Sequence, residues 1–200
     1  NSSLARYGGD LAVGAMTILY SVMQFALLPM QGVSLGAQPI LSYNYGAGNV
    51  ARVKKTFRLL LTVSLSYTIL LWAFIQLFPG VFARMFSSDA ALIAFTAKAL
   101  RVYCAALFIF GVQTACQMAF VSIGYAGCSI FVAVLRKFIL LLPLIYLVPI
   151  FTPDKTMGVY LAEPIADAIA VSSTAAIFFF QFRKAMKKLE AAKNDPKTAA

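Results

Sequence analysis

QGVSLGAQPILSYNYGAGN, residues 31–49, holds amides, small residues and a proline but no charge, and it runs directly into Arg52, Lys54, Lys55 and Arg58. It is the end of an uncharged run of 41 residues from Leu11 to Ala51. Two more such runs follow, Leu59–Ala83 and Val102–Leu135, and each exceeds the ~20 apolar residues a spanning helix needs. Hydrophobic residues make up 61% of the chain and charged ones 12%, too little polar surface to cover a soluble globule. Nothing alternates apolar and polar residues in runs of ~10, as a membrane β-barrel requires. The chain is therefore read as an all-α, polytopic membrane helix bundle.

Five spans are predicted, at about residues 11–41, 57–78, 91–123, 132–151 and 158–182. Asn1–Asp10, which contains the sequon Asn1-Ser2-Ser3, reads as an exposed lead-in. The first span is too short beyond Pro29 to be a hairpin of two, so one long helix bent near Pro29 is expected. The second stops at Pro79-Gly80, and a loop over Val81–Ala90 ends in Ser88-Asp89, placed to cap the third. Lys98 and Arg101, early in the third, can snorkel to the interface. The fourth has an uncharged part of only 16 residues, Phe138–Pro153, so it must extend back past Arg136, with Arg136-Lys137 near the headgroups. Residues 1–188 form the helical lobe, and 189–200, polar and rich in alanine, read as a disordered cytoplasmic tail.

The net charge of +10 fits basic loops facing the cytoplasm and anionic lipid, not nucleic acid, since no aromatic-interleaved basic domain occurs. Arg52–Arg58, Arg136-Lys137 and the basic residues from Arg183 to Lys197 fall on one side; Arg6, Arg84, Lys98, Arg101 and Lys155 fall on the other. That bias places the C-terminus in the cytoplasm and Asn1 outside, in a plasma membrane of the bacterial inner-membrane kind. An outside N-terminus without a leader suggests that at least one earlier span belongs to the protein. Cys104, Cys116 and Cys128 lie in or beside apolar runs and read as packing residues. With no histidine and no HExxH or GxSxG arrangement, neither a metal site nor a catalytic residue is expected, and the chain does not read as an enzyme.

Three spans carry polar pairs at helical spacing: Gln31 with Gln38, Gln113 with Gln117, and Glu163 with Asp167. Polar groups at such depth face other helices or a water-filled cavity. The glutamines fit either interhelical hydrogen bonds or a substrate cavity, and the Gly32/Gly36 pair suits close helix packing. Glu163 and Asp167 fit either a proton or cation site or acids paired near the outer surface with Lys98, Arg101 or Lys155.

QGVSLGAQPILSYNYGAGNVARVKK (31–55), FGVQTACQMAFVSIGYAGCS (110–129) with Leu135-Arg136-Lys137 after it, and GVYLAEPIADAIA (158–170) together resemble the second half of multidrug and toxic compound extrusion (MATE) family transporters. The resemblance covers about residues 4–185, in order and at the expected separations. It implies two six-helix bundles facing each other across a cavity, with this chain as the eighth to twelfth helices. The N-terminal bundle and the first helix of the second would be the missing partner. The implied activity is export of organic, often cationic compounds in exchange for protons or sodium ions, without a cofactor. Gln31, Gln38, Gln113 and Gln117 become substrate-cavity candidates, and Asp167 and Glu163 ion-coupling candidates. One departure stands out: some members have a carboxylate one turn before the glutamine of the tenth helix, where this chain has Phe110. That shifts coupling to Asp167, to Glu163 or to the missing bundle. The alternatives are a lipid-linked oligosaccharide flippase of the same superfamily, which would want basic residues in mid-span, and a fragment serving only as a structural membrane subunit.

Overall fold

A computed structural model describes residues 2–193, all of whose regular elements are helices. They are α1 (Ser2–Gly46), α2 (Val50–Leu77), α3 (Pro79–Arg84), α4 (Ala90–Tyr103), α5 (Phe110–Ser122), α6 (Ala126–Val134), α7 (Leu142–Phe151) and α8 (Lys155–Lys193). A 3₁₀ turn, Leu107–Ile109, precedes α5, and a π-helical segment, Leu135–Leu141, joins α6 to α7. Four stretches are long and apolar enough to cross a membrane: Arg6–Gly46, Val50–Leu77, Ala126–Phe151 and Lys155–Ala191. The pair Ala90–Tyr103 and Leu107–Ser122, where the fifth span was expected, is long and apolar enough only when its two bent helices are taken together.

Several boundaries differ from expectation. The lead-in is helical from Ser2, and Leu4 is buried with Leu19, Leu100 and Tyr160; Asn1 and its sequon lie outside the described residues. α1 breaks at Gly9, whose φ of 61° with ψ of −157° is open to glycine and strained for other residues. Pro29 and Pro39 sit inside the helix. Proline weakens the carbonyl bonding of the preceding turn, and here the Tyr67 hydroxyl donates to the carbonyl of Ala26 at 2.5 Å. α2 starts at Val50, so Arg52–Arg58 belong to its first turns, and Asn49 caps it by accepting from the Arg52 amide at 3.2 Å. The expected loop after Pro79 contains α3, with Pro79 at the N-terminal position that proline tolerates. Asp89 caps α4 as its position predicted, accepting from the Ala91 and Leu92 amides at 2.8 and 3.4 Å. α8 continues to Lys193, past the expected boundary at 188, and 194–200 lie outside the described residues.

The third span is not one helix over 91–123 but two, bent by 49°. No proline or glycine marks the break. It falls where the chain turns in against α2: α4 packs on α3, α1 and α8, whereas the 3₁₀ turn and α5 pack foremost on α2, with α5 also against α8 and α1. Gly111 makes that second contact possible, since a Cβ there would stand 2.6 Å from the Ser64 carbonyl oxygen and 2.7 Å from the Leu65 nitrogen. The Thr68 hydroxyl lies 3.3 Å from the Phe108 carbonyl, one of the groups that the bend leaves without a helical donor.

Two apolar cores result. One joins α1, α4 and the start of α8 through Leu19, Val22, Leu100, Tyr103 and Tyr160, and the buried Tyr160 hydroxyl donates to the Ala12 carbonyl at 2.7 Å. The other joins the end of α1, the start of α2, α5 and the end of α8 through Leu41, Leu60, Cys116, Phe120 and Phe178. Cys104 and Cys116 are buried packing residues and Cys128 is half-buried. Only 6% of the most apolar window of Ala126–Phe151 is buried within this chain, so that span turns most of its surface outward.

Candidate functional site

Glu163 and Asp167 stand one turn apart on α8, and a single helix face presents both. Their partner is Arg136, which the π-helical segment carries. Its Nε donates to Asp167 Oδ1 at 2.5 Å and its Nη2 to Glu163 Oε1 at 3.2 Å. Side-chain exposures are 19% for Arg136, 11% for Glu163 and 12% for Asp167, so all three are largely withdrawn from the surface. The guanidinium carbon also lies 5.0 Å from the centroid of the Phe110 ring, within cation–π range. A cavity of about 140 Å³ opens beside the triad, lined further by Tyr20, Tyr103, Cys104 and the exposed Lys137.

The acids thus pair with Arg136 and not, among the described residues, with Lys98, Arg101 or Lys155. Counting from Ala126, Arg136 lies ~15 Å along a helix of ~39 Å, close to the middle of a ~30 Å hydrocarbon core. Asp167 lies ~18 Å into α8, which runs the other way. The sequence signal was available in the turn at Gly124-Tyr125, which starts the span six residues earlier than the hydropathy maximum suggests. The π segment itself follows from Pro143, whose missing N–H and bulky ring disturb the turn before it; such widened turns recur at functional sites. Arg101 serves elsewhere, donating to the Gln76 carbonyl at 3.2 Å while Gln76 Nε2 donates to the Arg101 carbonyl at 2.9 Å.

The glutamines are scattered. Gln113 is buried, at 2% exposure, and its Oε1 lies 2.8 Å from the Thr174 hydroxyl of α8. Gln117 is half-buried. Gln31 is exposed and Gln38 half-buried on α1, and none of these last three makes a side-chain hydrogen bond among the described residues. Gly32 and Gly36 face open space, so the close packing expected of them does not occur within this chain. The structure thus brings together Glu163 and Asp167 with Arg136 and Phe110, and leaves the amides apart from them.

Chemically, two carboxylates and one guanidinium leave a formal charge of −1 when both acids are ionised. Unpaired, such acids would be costly in a membrane; Arg136 offsets one charge and Lys137, on the same cavity but not ion-paired to either acid, brings a second, so a transported cation or proton would compete with both.

A family model described as MatE matches residues 1–147. No curated protein sequence matches the chain significantly. Among solved structures, the MATE multidrug transporter DinF-BH in complex with R6G is 30% identical over 90% of this chain and 40% of its own, with a TM-score of 0.76. A MATE protein in the bent conformation is 19% identical over 98% of this chain and 42% of its own, at 0.84. Inward- and outward-facing structures of a multidrug resistance MATE family transporter of the MOP superfamily each align at 0.82 with 20% identity, over 96% of this chain and 43% and 42% of theirs. The chain thus spans less than half the length of the structures it resembles. A match over so much of its length, on a bundle of long apolar helices, places the chain in the MatE family of membrane transporters.

Proposed function

We propose that the chain is part of a secondary active antiporter that exports organic, cationic compounds in exchange for protons or sodium ions. The observation that carries this reading is the Arg136–Glu163–Asp167 triad beside a cavity at mid-span. An ion gradient does work on transport only if the ion binds the two access states unequally. A triad one charge short of neutrality, built across the junction of the π segment and α8, is a site whose affinity changes when those elements shift. Arg136 then acts as a tethered competitor: the acids hold it in one state and the transported ion in another. Rocking of whole bundles about a midplane cavity suits this, since the lobe aligns equally well with inward- and outward-facing relatives.

The flippase alternative wants free basic groups in mid-span. Arg136 is such a residue by position, but Glu163 and Asp167 already engage it. The orientation that fits the basic starts of α2 and the end of α8 puts those ends in the cytoplasm, with Arg136 and Lys137 removed from the tally.

In the full-length protein, Asp167→Asn is expected to abolish pH- or sodium-driven efflux of a fluorescent organic cation. Efflux with unchanged ion dependence would remove Asp167 from coupling. Varying sodium at fixed pH separates the two ions. These 200 residues expressed alone are expected to confer no drug resistance; resistance at the full-length level would point to a homodimer of lobes.

A further inference from the structure

At the other end of α8 lies a larger cavity, about 590 Å³, within the ~300–1,000 Å³ typical of ligand sites. The α2 and α8 backbones stand apart there and meet through side chains, and α5 closes the back with Val112 and the buried Cys116. Its wall is aromatic: the Phe57 and Phe178 rings stack at 4.5 Å, Phe178 and Phe182 at 4.8 Å. Its mouth is basic. Arg183, Lys187 and Lys54 line it against one acid, Glu190, which Lys54 already engages at 3.2 Å. Arg183 and Lys187 are exposed and have no ion-pair partner among the described residues.

Depth matches chemistry. Along α8, Phe178 lies ~16 Å and Arg183 ~24 Å from Asp167. With the triad near the midplane of a ~30 Å core, the phenylalanines sit at the hydrocarbon edge and the cations in the headgroup layer. We infer that this cavity binds an anionic phospholipid, its phosphate held by Arg183 and Lys187 and an acyl chain laid against Phe57, Phe178 and Phe182. Basic pockets between membrane helices recognise anionic headgroups in this way. The same mouth disfavours an organic cation. The inference stands whether or not the triad couples an ion.

The test uses the full-length protein in nanodiscs of phosphatidylglycerol and phosphatidylcholine, extracted into mild detergent, with retained lipid counted by native mass spectrometry. Phosphatidylglycerol is expected to be retained over phosphatidylcholine. Arg183→Gln with Lys187→Gln lowers that preference roughly thirtyfold, each cation contributing on the scale of surface lipid attraction. Arg84→Gln with Lys98→Gln, away from the cavity, leaves it unchanged. Both pairs are exposed, and equal melting temperatures confirm intact folding. A photoreactive phenylalanine analogue at position 179, on the cavity wall, is expected to cross-link to lipid. Equal retention of the two lipids, equal loss in both double variants, displacement by millimolar inorganic phosphate, or a cross-link to protein instead of lipid would each overturn the proposal.

Discussion

The two halves of α8 solve the same problem in opposite ways. Near its start, Glu163 and Asp167 face Arg136 and keep a small polar cavity open. Two turns past Asp167, Thr174 meets Gln113 and leaves no gap; its hydroxyl also lies 2.7 Å from the Ala170 carbonyl. A neutral hydroxyl and amide satisfy each other within the packed bundle at little cost. Two carboxylates cannot, because their partner must bring a charge, and the guanidinium that brings it needs room. Around the Arg136 cluster the bundle stays open; at the Thr174–Gln113 pair it closes.

The largest effect that could break this contrast is expected from Arg136→Met. It strands two acids inside the lobe and should destabilise the protein by about 3 kcal/mol, seen as a lower melting temperature in detergent. A loss no larger than for an exposed arginine, such as Arg84→Met, would mean that the triad is not held as described. Adding Glu163→Gln and Asp167→Leu to that variant sharpens the point. Melting should recover toward wild type, since an apolar replacement of a buried ion cluster is often neutral or stabilising, while ion-driven efflux stays absent. Thr174→Val is smaller: it unpairs the buried Gln113 oxygen and should cost about 1 kcal/mol without altering the ion dependence of efflux. Smallest of all is Lys54→Gln. The Lys54–Glu190 pair has side-chain exposures of 50% and 53%, so melting should move by less than the error of the measurement.

The fold class was readable from hydropathy, because lipid leaves backbone groups only one local way to bond. Helix limits were less so. Gly9 breaks α1 through a torsion that no hydropathy window registers, while the helix runs on through Pro29, where Tyr67 from α2 donates to a carbonyl of the preceding turn. The bend between α4 and α5 has no local marker either, since its cause is the approach of Gly111 to α2. Within the site, Glu163 and Asp167 were visible as an (i, i+4) pair in an apolar span, but Arg136 was not seen as their partner. Its side chain reads the same at an interface or at mid-span, and only the position of the preceding turn tells which. Gln31, Gln38 and Gln117 were visible for the same reason as the acids, yet nothing in their spacing says what faces them.

Composition and residue order alone established a helical membrane lobe with two acids in its last span and basic ends to α2 and α8, since burial in lipid depends on the count of apolar residues in a row. Packing decided the rest. Which cation meets the acids, which glutamine is spent on a threonine, and where a cavity remains all depend on the relative depth and rotation of separate helices. Those are set by contacts between residues far apart in the chain, here Arg136 with Asp167, Gln113 with Thr174 and Phe57 with Phe178.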